Sequence, residues 1–125
     1  MKSNSLAEWL EHLEQLHPTE IELGLERITR VANALNLLPL IPPVVTVAGT
    51  NGKGSNCIAA ESLLLAQGLT VGTTLSPHIS RFNERIRLAG APADDGVICA
   101  GFEHIDRARA DVPLTYFEFA LLAAL

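Results

Sequence analysis

A lysine, a serine and three glycines lie close together in residues 49–55, GTNGKGS. An apolar, β-branched run, VVTVA at 44–48, precedes them, and a segment with helical character follows. The backbone N–H groups of a glycine-rich loop at a helix N-terminus can converge on phosphate oxygens. Lys53 can place its charge on the β and γ phosphates of a nucleotide, and the Ser55 hydroxyl can lie near those phosphates or their magnesium ion. The segment therefore predicts a phosphate-binding loop.

The match of this loop to the strict Walker A pattern is imperfect. With Lys53 as the reference, G-x-x-x-x-G-K-[ST] requires glycine at 47 and serine or threonine at 54, where the chain has Val47 and Gly54. A glycine-rich turn with a solvated lysine is the simpler alternative. We favour phosphate binding because strand, loop and helix follow one another in the order that this function requires.

A second polar cluster, SPHISRFNERIRL, occupies residues 76–88. Ser76 follows a predicted strand at 70–75, and open α/β sheets bind their ligands at the C-terminal ends of such strands. Ser76 could therefore face the phosphates. The other polar residues of the cluster are His78, Arg81, Asn83, Glu84, Arg85 and Arg87. Taken alone, such a segment is more often a solvated loop than a site.

A third candidate is LTYFE at 114–118. Thr115 and Glu118 have the spacing of a capping box, in which both side chains bond to backbone N–H groups at a helix start. Alternatively, the Tyr116 and Phe117 rings and the Glu118 carboxylate could hold a flat heterocycle. Both roles can coexist. Residues 21–27, IELGLER, are on periodicity simply a helix start with a permissive glycine at Gly24.

The elements that position these residues are predicted from hydrophobic period and capping signals. Helices are expected at 5–16, at 24–37, at 55–67, after an N-cap at Asp94, and after Thr115. The residues expected on the apolar faces are Leu6, Trp9, Leu10, Leu13 and Leu16 for the first helix, Leu25, Ile28, Ala32 and Leu35 for the second, and Ile98, Phe102 and Ile105 for the helix after Asp94. Strands are expected at 44–48, 70–75 and 85–88. The first two strands would be parallel and joined through the helix at 55–67 as a βαβ unit.

Composition and charge bound the function. The chain has 125 residues, of which 48% are hydrophobic and 18% charged, as in one globular domain or part of one. The net charge of -5 argues against binding to nucleic acid or to anionic lipid. No apolar stretch approaches the roughly 18 residues that span a bilayer, and the N-terminus has no signal core, so we expect a cytoplasmic protein.

Cysteine and histidine spacing gives no sign of a disulfide or zinc site. Cys57 and Cys99 lie far apart without a CxxC motif, and we expect buried free thiols. His12, His17 and His104 lack metal-ligand spacing. The chain ends within an apolar stretch, FALLAAL at 119–125, and we expect an N-terminal piece of a larger enzyme.

Four segments, in this order, closely resemble the N-terminal portion of the bacterial bifunctional dihydrofolate synthase/folylpolyglutamate synthase family. They are IELGLERI at 21–28, VTVAGTNGKGS at 45–55, TLSPHISRFNERIRL at 74–88 and LTYFEF at 114–119. GTNGKGS alone would admit the wider Mur ligase superfamily, whereas SPHISRFNERIR and LTYFE point to the folate branch. The resemblance covers nearly the whole chain.

The resemblance implies an α/β fold: a P-loop-containing, three-layer nucleotide-binding domain with a parallel sheet, similar to the central domain of Mur ligases and incomplete in this chain. Residues 1–43 would be an N-terminal helical segment and 44–125 the first part of the ATP-binding domain. The C-terminal glutamate-binding domain would be absent. The full-length enzyme is expected to be a monomer.

The resemblance also implies functional residues. Those that would bind ATP are Thr50, Asn51, Gly52, Lys53, Gly54 and Ser55, with Lys53 the catalytic residue. Ser55 and Ser76 would be ligands of Mg²⁺. Those that would bind the pterin or folate substrate are Glu22, Leu23, Gly24, Leu25, Thr115, Tyr116, Phe117 and Glu118.

The implied activity is ATP-dependent ligation of L-glutamate to dihydropteroate and to reduced folates. A carboxylate is a poor acyl donor, so ATP would first convert it to an acyl phosphate, which the glutamate amine then attacks. The family's later EVGLGGRLDATN-like segment and magnesium-binding histidine do not occur in this sequence. We therefore expect these 125 residues alone to be inactive. A Mur-type ligase acting on a cell-wall precursor, or a non-catalytic nucleotide-binding module, remain alternatives.

Overall fold

In the computed structural model, which describes residues 5–16, 23–40 and 42–125, three helices are followed by three short strands and then by two further helices. The helices are α1 (Leu6–Leu16), α2 (Glu26–Ala34), α3 (Lys53–Ala66), α4 (Asp95–Arg109) and α5 (Tyr116–Ala124). The strands are β1 (Gly72–Thr74), β2 (Ile86–Leu88) and β3 (Ala91–Pro92), and a 3₁₀ turn, Phe82–Arg85, leads into β2. Within these described ranges, no helix is long and apolar enough to cross a membrane.

The chain divides into two compact units. One, which we call the helical unit, consists, among the described residues, of 5–16, 23–40, 94–123 and 125, and so contains α1, α2, α4 and most of α5. The other, which we call the sheet unit, consists of residues 42–93 and 124 and contains α3 and the three strands. The division into domains at residues 43 and 44 that the resemblance implies stays a prediction.

The helical unit is built on an aromatic core. Trp9 of α1 lies with its ring centroid 5.7 Å from that of Phe102 on α4 and 6.4 Å from that of Phe119 on α5. Phe102 and Phe119 meet edge to face at 5.5 Å, a favourable arrangement for aromatic rings. The apolar face predicted from periodicity is confirmed for α4 and in part for α1, where Leu10 and Leu16 are half-buried. The buried residues are Leu6, Trp9 and Leu13 on α1, and Ile98, Phe102 and Ile105 on α4.

Helix starts follow the capping signals in the sequence. Ser5 Oγ accepts a hydrogen bond of 3.3 Å from the backbone N–H of Glu8 at the start of α1. At the start of α5, Thr115 and Glu118 form both halves of the predicted capping box. α4 begins directly after Asp94 as predicted, although among the described residues no backbone N–H of α4 donates a capping hydrogen bond to the Asp94 side chain.

Two helix boundaries differ from prediction. α2 spans Glu26–Ala34 rather than 24–37, and Leu25, expected on its apolar face, is exposed. Gly24 has a φ of 132°, a left-handed value that helical residues do not adopt, so the helix starts after it. α3 begins at Lys53, two residues before the predicted start at 55, because Gly52 in the left-handed conformation serves as its N-cap.

The predicted strand at 44–48 and the parallel βαβ unit are wrong for the described part of the chain. Residues 44–48 have no regular secondary structure, and Val44 and Val45 are exposed. A strand requires a neighbour for its backbone N–H and C=O groups, and the three described strands pair with one another instead. β-branched residues favour a strand but do not supply that partner.

The described sheet is antiparallel, in the order β1-β2-β3. Gly72 faces Leu88, and Thr74 faces Ile86, across the first pair. Between β1 and β2 the chain has a loop and one 3₁₀ turn but no α-helix, whereas parallel strands are joined by a longer crossover that is usually an α-helix. Between β2 and β3, Ala89 and Gly90 both have positive φ, 50° and 87°, which suits a tight hairpin turn. The chain thus combines helices with a small antiparallel sheet.

Candidate functional site

The predicted phosphate-binding loop lies in the sheet unit and leads into α3. Gly52 has a φ of 75°, a left-handed value that glycine adopts without strain, and it ends the loop at the N-cap of the helix. Residues 48–56 are all exposed. The N–H groups of a first helical turn have no partner within their own helix, and they carry the positive end of the helix dipole. This loop therefore offers solvent a positive, donor-rich surface that suits an anion.

Lys53 turns its side chain back onto this loop. Its ammonium group donates hydrogen bonds to the backbone oxygen of Gly49 at 2.7 Å and to that of Thr50 at 3.4 Å. The Asn56 side-chain amide donates to the backbone oxygen of Gly52 at 2.7 Å. The charge of Lys53 is thus held within the curve of the loop, next to the N-terminus of α3, where it adds to the helix dipole.

Ser76 lies in the loop that follows β1, and it is exposed. Glu84 organises this loop, because its carboxylate accepts hydrogen bonds from the backbone N–H groups of Ile79 and Ser80 at 2.9 Å and of Arg81 at 2.8 Å. These hydrogen bonds to the charged form lower the pKa of Glu84 to about 2. Residues 76–85 are therefore an internally bonded loop rather than a freely solvated one.

His78 and Arg85 form a second contact within this loop. Arg85 Nε donates to His78 Nδ1 at 2.8 Å, and the guanidinium lies 5.8 Å from the Phe82 ring centroid. The Asn83 side chain is buried and donates to the backbone oxygen of Ala93 at 2.8 Å. Much of the polar character of the cluster at 76–88 thus serves the loop's own structure.

Sequence reasoning missed Glu61, which is 3% exposed and lies in α3. It pairs with Arg87 of β2 at 2.9 Å and accepts a hydrogen bond from Thr73 of β1 at 2.7 Å. The signal available in the sequence was the position of Glu61 directly before the leucine-rich segment SLLLA. A glutamate in such a place is either exposed on an amphipathic helix or buried with a partner for its charge.

The helical unit brings the two predicted substrate segments together. Leu23, Gly24 and Leu25 directly precede α2, and Thr115 is the N-cap of α5. Arg27 of α2 joins these helix starts by pairing with Glu118 at 2.8 Å. Sequence reasoning missed Arg27, because nothing local marks a contact between residues 91 positions apart. Glu22 lies outside the described residues.

The Glu118 carboxylate is accounted for by its structural contacts. It is 5% exposed, accepts from the Thr115 backbone N–H at 2.8 Å, and is held by the Arg27 guanidinium. The capping-box explanation of Thr115 and Glu118 is therefore confirmed. A contact between this carboxylate and a heterocycle stays a prediction.

Apolar side chains near these helix starts remain exposed. Leu23 is 91% exposed, Leu25 75% and Phe117 51%. An open cleft of about 300 Å³ lies beside Arg27 in the same unit. Its lining residues are Glu26, Arg27, Arg30, Asp111, Val112 and Pro113. The helical unit thus offers both apolar contact surface and charged groups to a ligand.

No group of three or more histidine, cysteine, aspartate or glutamate side chains within residues 5–16, 23–40 and 42–125 could hold a metal ion. Cys57 and Cys99 are free thiols as predicted, although each is half-buried rather than buried. Burial, together with the nearby charges of Asp95 and Glu103, raises the pKa of the Cys99 thiol. A raised pKa favours the thiol over the reactive thiolate.

Comparison with known proteins gives close matches over nearly all of this chain. Dihydrofolate synthase/folylpolyglutamate synthase of Escherichia coli is 48% identical over 123 residues, which are 98% of this chain and 29% of that protein. The chain therefore spans less than a third of the length of the curated relative. No protein-family model matches the chain.

Solved structures agree with the sequence match. The E. coli FolC structure in complex with DHPP and ADP has a TM-score of 0.93 and 48% identity, over 98% of this chain and 30% of that one. A bifunctional folylpolyglutamate synthase/dihydrofolate synthase with Mn, AMPPNP and L-glutamate bound has a TM-score of 0.89 and 48% identity, over 98% of this chain and 29% of that one. These enzymes have an α/β nucleotide-binding fold, and this chain matches part of it, although its described strands form a small antiparallel sheet rather than the parallel sheet that the resemblance implied. In sequence and in structure, the chain corresponds to the N-terminal portion of the dihydrofolate synthase/folylpolyglutamate synthase family.

Proposed function

We propose that this chain is the ATP-binding, N-terminal part of a ligase that adds L-glutamate to dihydropteroate and to folylpolyglutamates. The observation that carries the proposal is the loop at 49–55, where a left-handed Gly52 starts α3 and Lys53 lies within the loop's curve. This arrangement suits the phosphates of ATP. The relatives support the same assignment, since their solved complexes contain ADP or AMPPNP.

The residues proposed to bind ATP all lie in the exposed loop and the first turn of α3. They are Thr50, Asn51, Gly52, Lys53, Gly54 and Ser55. Gly52 has a positive φ at which a residue with a side chain would be strained, so the shape of this loop requires glycine there. Lys53 is the proposed catalytic residue, and its charge would offset the negative charge that develops on the transferred phosphoryl group.

A magnesium ion fits the donor set of the sheet unit. Mg²⁺ prefers oxygen ligands and commonly takes only one or two from the protein, with water and substrate phosphates completing its coordination. Ser55 and Ser76 both carry exposed hydroxyl groups, and we propose that they hold the ion. When bound, Mg²⁺ would supply Lewis-acid stabilisation of phosphate charge. A relative was solved with Mn bound, which is consistent with use of a divalent ion.

The chemistry proposed for the whole enzyme forms an amide from a carboxylate. The substrate carboxylate attacks the γ phosphate of ATP to give an acyl phosphate and ADP. The glutamate amine then attacks the acyl carbon, and inorganic phosphate leaves. Within this chain, the loop at 49–55 binds and orients the phosphates, and Lys53 stabilises the charge of the transferred group.

The helical unit is proposed to contact the pterin or folate substrate. Glu22, Leu23, Gly24 and Leu25 precede α2, and Thr115, Tyr116, Phe117 and Glu118 start α5. Leu25 and Phe117 expose apolar surface that a flat ring could cover. The E. coli relative was solved with DHPP, which supports a pterin-type ligand.

The domain division, oligomeric state and location are part of the same proposal. Residues 1–43 would be a helical segment, 44–125 the first part of the ATP-binding domain, and the whole enzyme a monomer. We place it in the cytoplasm because Cys57 and Cys99 are free thiols, as in a reducing compartment, and because ATP is available there.

The test is a ligation assay of the full-length gene product with ATP, magnesium, L-glutamate and dihydropteroate. We expect ADP and dihydrofolate to form in equal amounts, with neither formed when dihydropteroate is omitted. Product formed only with a cell-wall precursor would support the Mur-type alternative. Nucleotide binding without any substrate-dependent ADP formation would support the non-catalytic alternative.

A further inference from the structure

Glu61 connects three elements of the sheet unit through one carboxylate. Its Oε1 accepts from Arg87 Nη2 at 2.9 Å and from Arg87 Nε at 3.2 Å, and its Oε2 accepts from Thr73 Oγ1 at 2.7 Å. Arg87 Nη2 also donates to the backbone oxygen of Gly90 at 2.6 Å. Thr73 and Arg87 are register partners on β1 and β2. The carboxylate therefore bonds α3 to the two strands and, through Arg87, to the turn after β2.

None of the apolar side chains of α3 is buried. All fourteen of its residues are described, and Glu61 is the one that is buried. Leu63 is 66% exposed. A helix is usually positioned by an apolar stripe. In α3 the apolar residues Ile58, Leu64 and Leu65 are half-buried, and the Glu61–Arg87 ion pair adds a directional contact with the sheet.

A carboxylate paired with a guanidinium fixes the relative orientation of the two groups as well as the distance between them. The planar Arg87 fork approaches both oxygens of Glu61, and such two-point contacts hold their partners in one relative orientation. The Arg87 hydrogen bonds lower the pKa of Glu61 despite its burial, so the carboxylate stays charged at neutral pH. Buried ion pairs often contribute little net stability, which leaves orientation as the role that the geometry favours.

The elements joined by Glu61 carry both proposed metal ligands. Ser55 lies in the first turn of α3, and Ser76 lies two residues beyond the end of β1. An error in the placement of α3 against β1 would change the separation of the two hydroxyls. We propose that Glu61, Thr73 and Arg87 are positioning residues that set α3 against β1, so that Ser55 and Ser76 bind one metal–nucleotide complex. This inference rests on the proposed function.

The test uses a double variant of the full-length gene product, Glu61→Leu with Arg87→Met. It replaces the buried ion pair by apolar groups, a change that proteins commonly tolerate without loss of folding. The matched control is Glu103→Leu with Arg107→Met, which removes an exposed ion pair within α4 of the helical unit. The affinity for AMPPNP is measured with and without magnesium, together with the thermal unfolding midpoint.

The readout is the ratio of the two AMPPNP affinities, which reports the contribution of magnesium. We expect that ratio to fall at least about tenfold in the Glu61→Leu, Arg87→Met protein, with the metal-free affinity retained and the control unchanged. A folded double variant with an unchanged ratio would overturn the proposal. A purely structural role would lower the unfolding midpoint or both affinities without changing their ratio, which would also overturn it.

A milder variant decides the question if the double variant does not fold. Thr73→Val preserves the shape of the side chain and removes one hydrogen bond to Glu61. We expect it to reduce the ratio by about twofold to tenfold, as for the net contribution of one typical hydrogen bond, and no reduction would overturn the proposal. Failure of the wild-type protein to bind AMPPNP in either condition would instead reject the proposed nucleotide site itself.

Discussion

At the scale of single residues, Lys53 is the side chain that distinguishes phosphate binding from an ordinary glycine-rich turn. We expect Lys53→Met to lower kcat of the full-length gene product by about a hundredfold or more, because the positive charge near the transferred phosphoryl group is lost. The fold should be retained, since the side chain is exposed and bonds only to its own loop in the described structure. Steady-state kinetics and a thermal unfolding curve measure the two effects.

The control for this variant is Arg107→Gln, which removes an equal charge from an exposed ion pair on α4. It should leave kcat within about twofold of wild type, as expected for a surface pair. A Lys53→Met protein with wild-type kcat would show that the loop at 49–55 is a structural turn.

Glu84 gives a pH-dependent prediction at the same scale. Its pKa is lowered from 4.5 to about 2 by three backbone N–H groups, so its contribution to stability is complete above pH 4.5 and is lost as pH falls toward 2. We expect wild type to unfold at a higher temperature than Glu84→Gln at pH 7, and the difference to shrink as pH falls through that window. Unfolding midpoints at closely spaced pH values check this. A difference that stays constant down to pH 2 would contradict it.

Local residue pairs could be predicted from the sequence, and distant ones could not. Thr115 and Glu118 are three positions apart, and their capping box followed from spacing alone. The contact of Glu118 with Arg27 joins residues 91 positions apart and depends on how two helices pack. Glu61 is a similar case, because its partners lie on strands that the sequence did not pair correctly.

At the scale of elements, the start of α5 combines a cap with an ion pair. Thr115→Val removes the hydroxyl that accepts from the Glu118 backbone N–H, and we expect the helical unit to lose about 1–2 kcal/mol of unfolding free energy. Trp9 is the one tryptophan of the chain and is fully buried in this unit, so its fluorescence reports the unfolding.

The control for the cap is Ser62→Ala, because Ser62 is an exposed hydroxyl of α3 in the sheet unit, bonded to its own helix backbone. Its unfolding free energy should stay within about 0.5 kcal/mol of wild type. Equal stability of Thr115→Val and wild type would show that the Thr115 hydroxyl contributes nothing to the cap.

Helices could be predicted more reliably than strands, for a physical reason. The hydrogen bonds of α1, α4 and α5 lie within each helix, so periodicity and caps were enough to locate them. The strand expected at 44–48 depends on a neighbouring strand that the local sequence does not specify. The positions of β1 and β2 were predicted approximately. Their antiparallel pairing with each other was not predicted, because it depends on the path of the chain between them.

At the scale of the whole molecule, this chain spans less than a third of the length of the E. coli relative. The proposed ligands for metal and nucleotide lie in the sheet unit, and those for the pterin substrate lie in the helical unit. We expect the purified 125-residue chain to form no dihydrofolate from ATP, glutamate and dihydropteroate, because the family's later metal-binding segment does not occur in its sequence. Product formation by this chain alone would contradict that expectation.

The fold class and the family could be predicted from four motifs, whereas the role of each site residue could not. Motifs such as SPHISRFNERIRL combine structural and functional requirements. Glu84 and Arg85 bond within the loop, while Ser76 stays exposed and available to a ligand. The structural and the ligand-binding residues of this motif could be separated only from the hydrogen bonds and the exposure of each side chain in the structure.

The most direct test of the proposed activity follows the oxygen atoms of the substrate carboxylate. Dihydropteroate labelled with ¹⁸O in its carboxylate is incubated with the full-length gene product, ATP, magnesium and L-glutamate, and the released phosphate is analysed by mass spectrometry. An acyl phosphate intermediate predicts one ¹⁸O in the phosphate for each amide formed, and none in a Lys53→Met reaction that forms no amide. Amide formation with unlabelled phosphate, or with ¹⁸O in AMP, would contradict this mechanism.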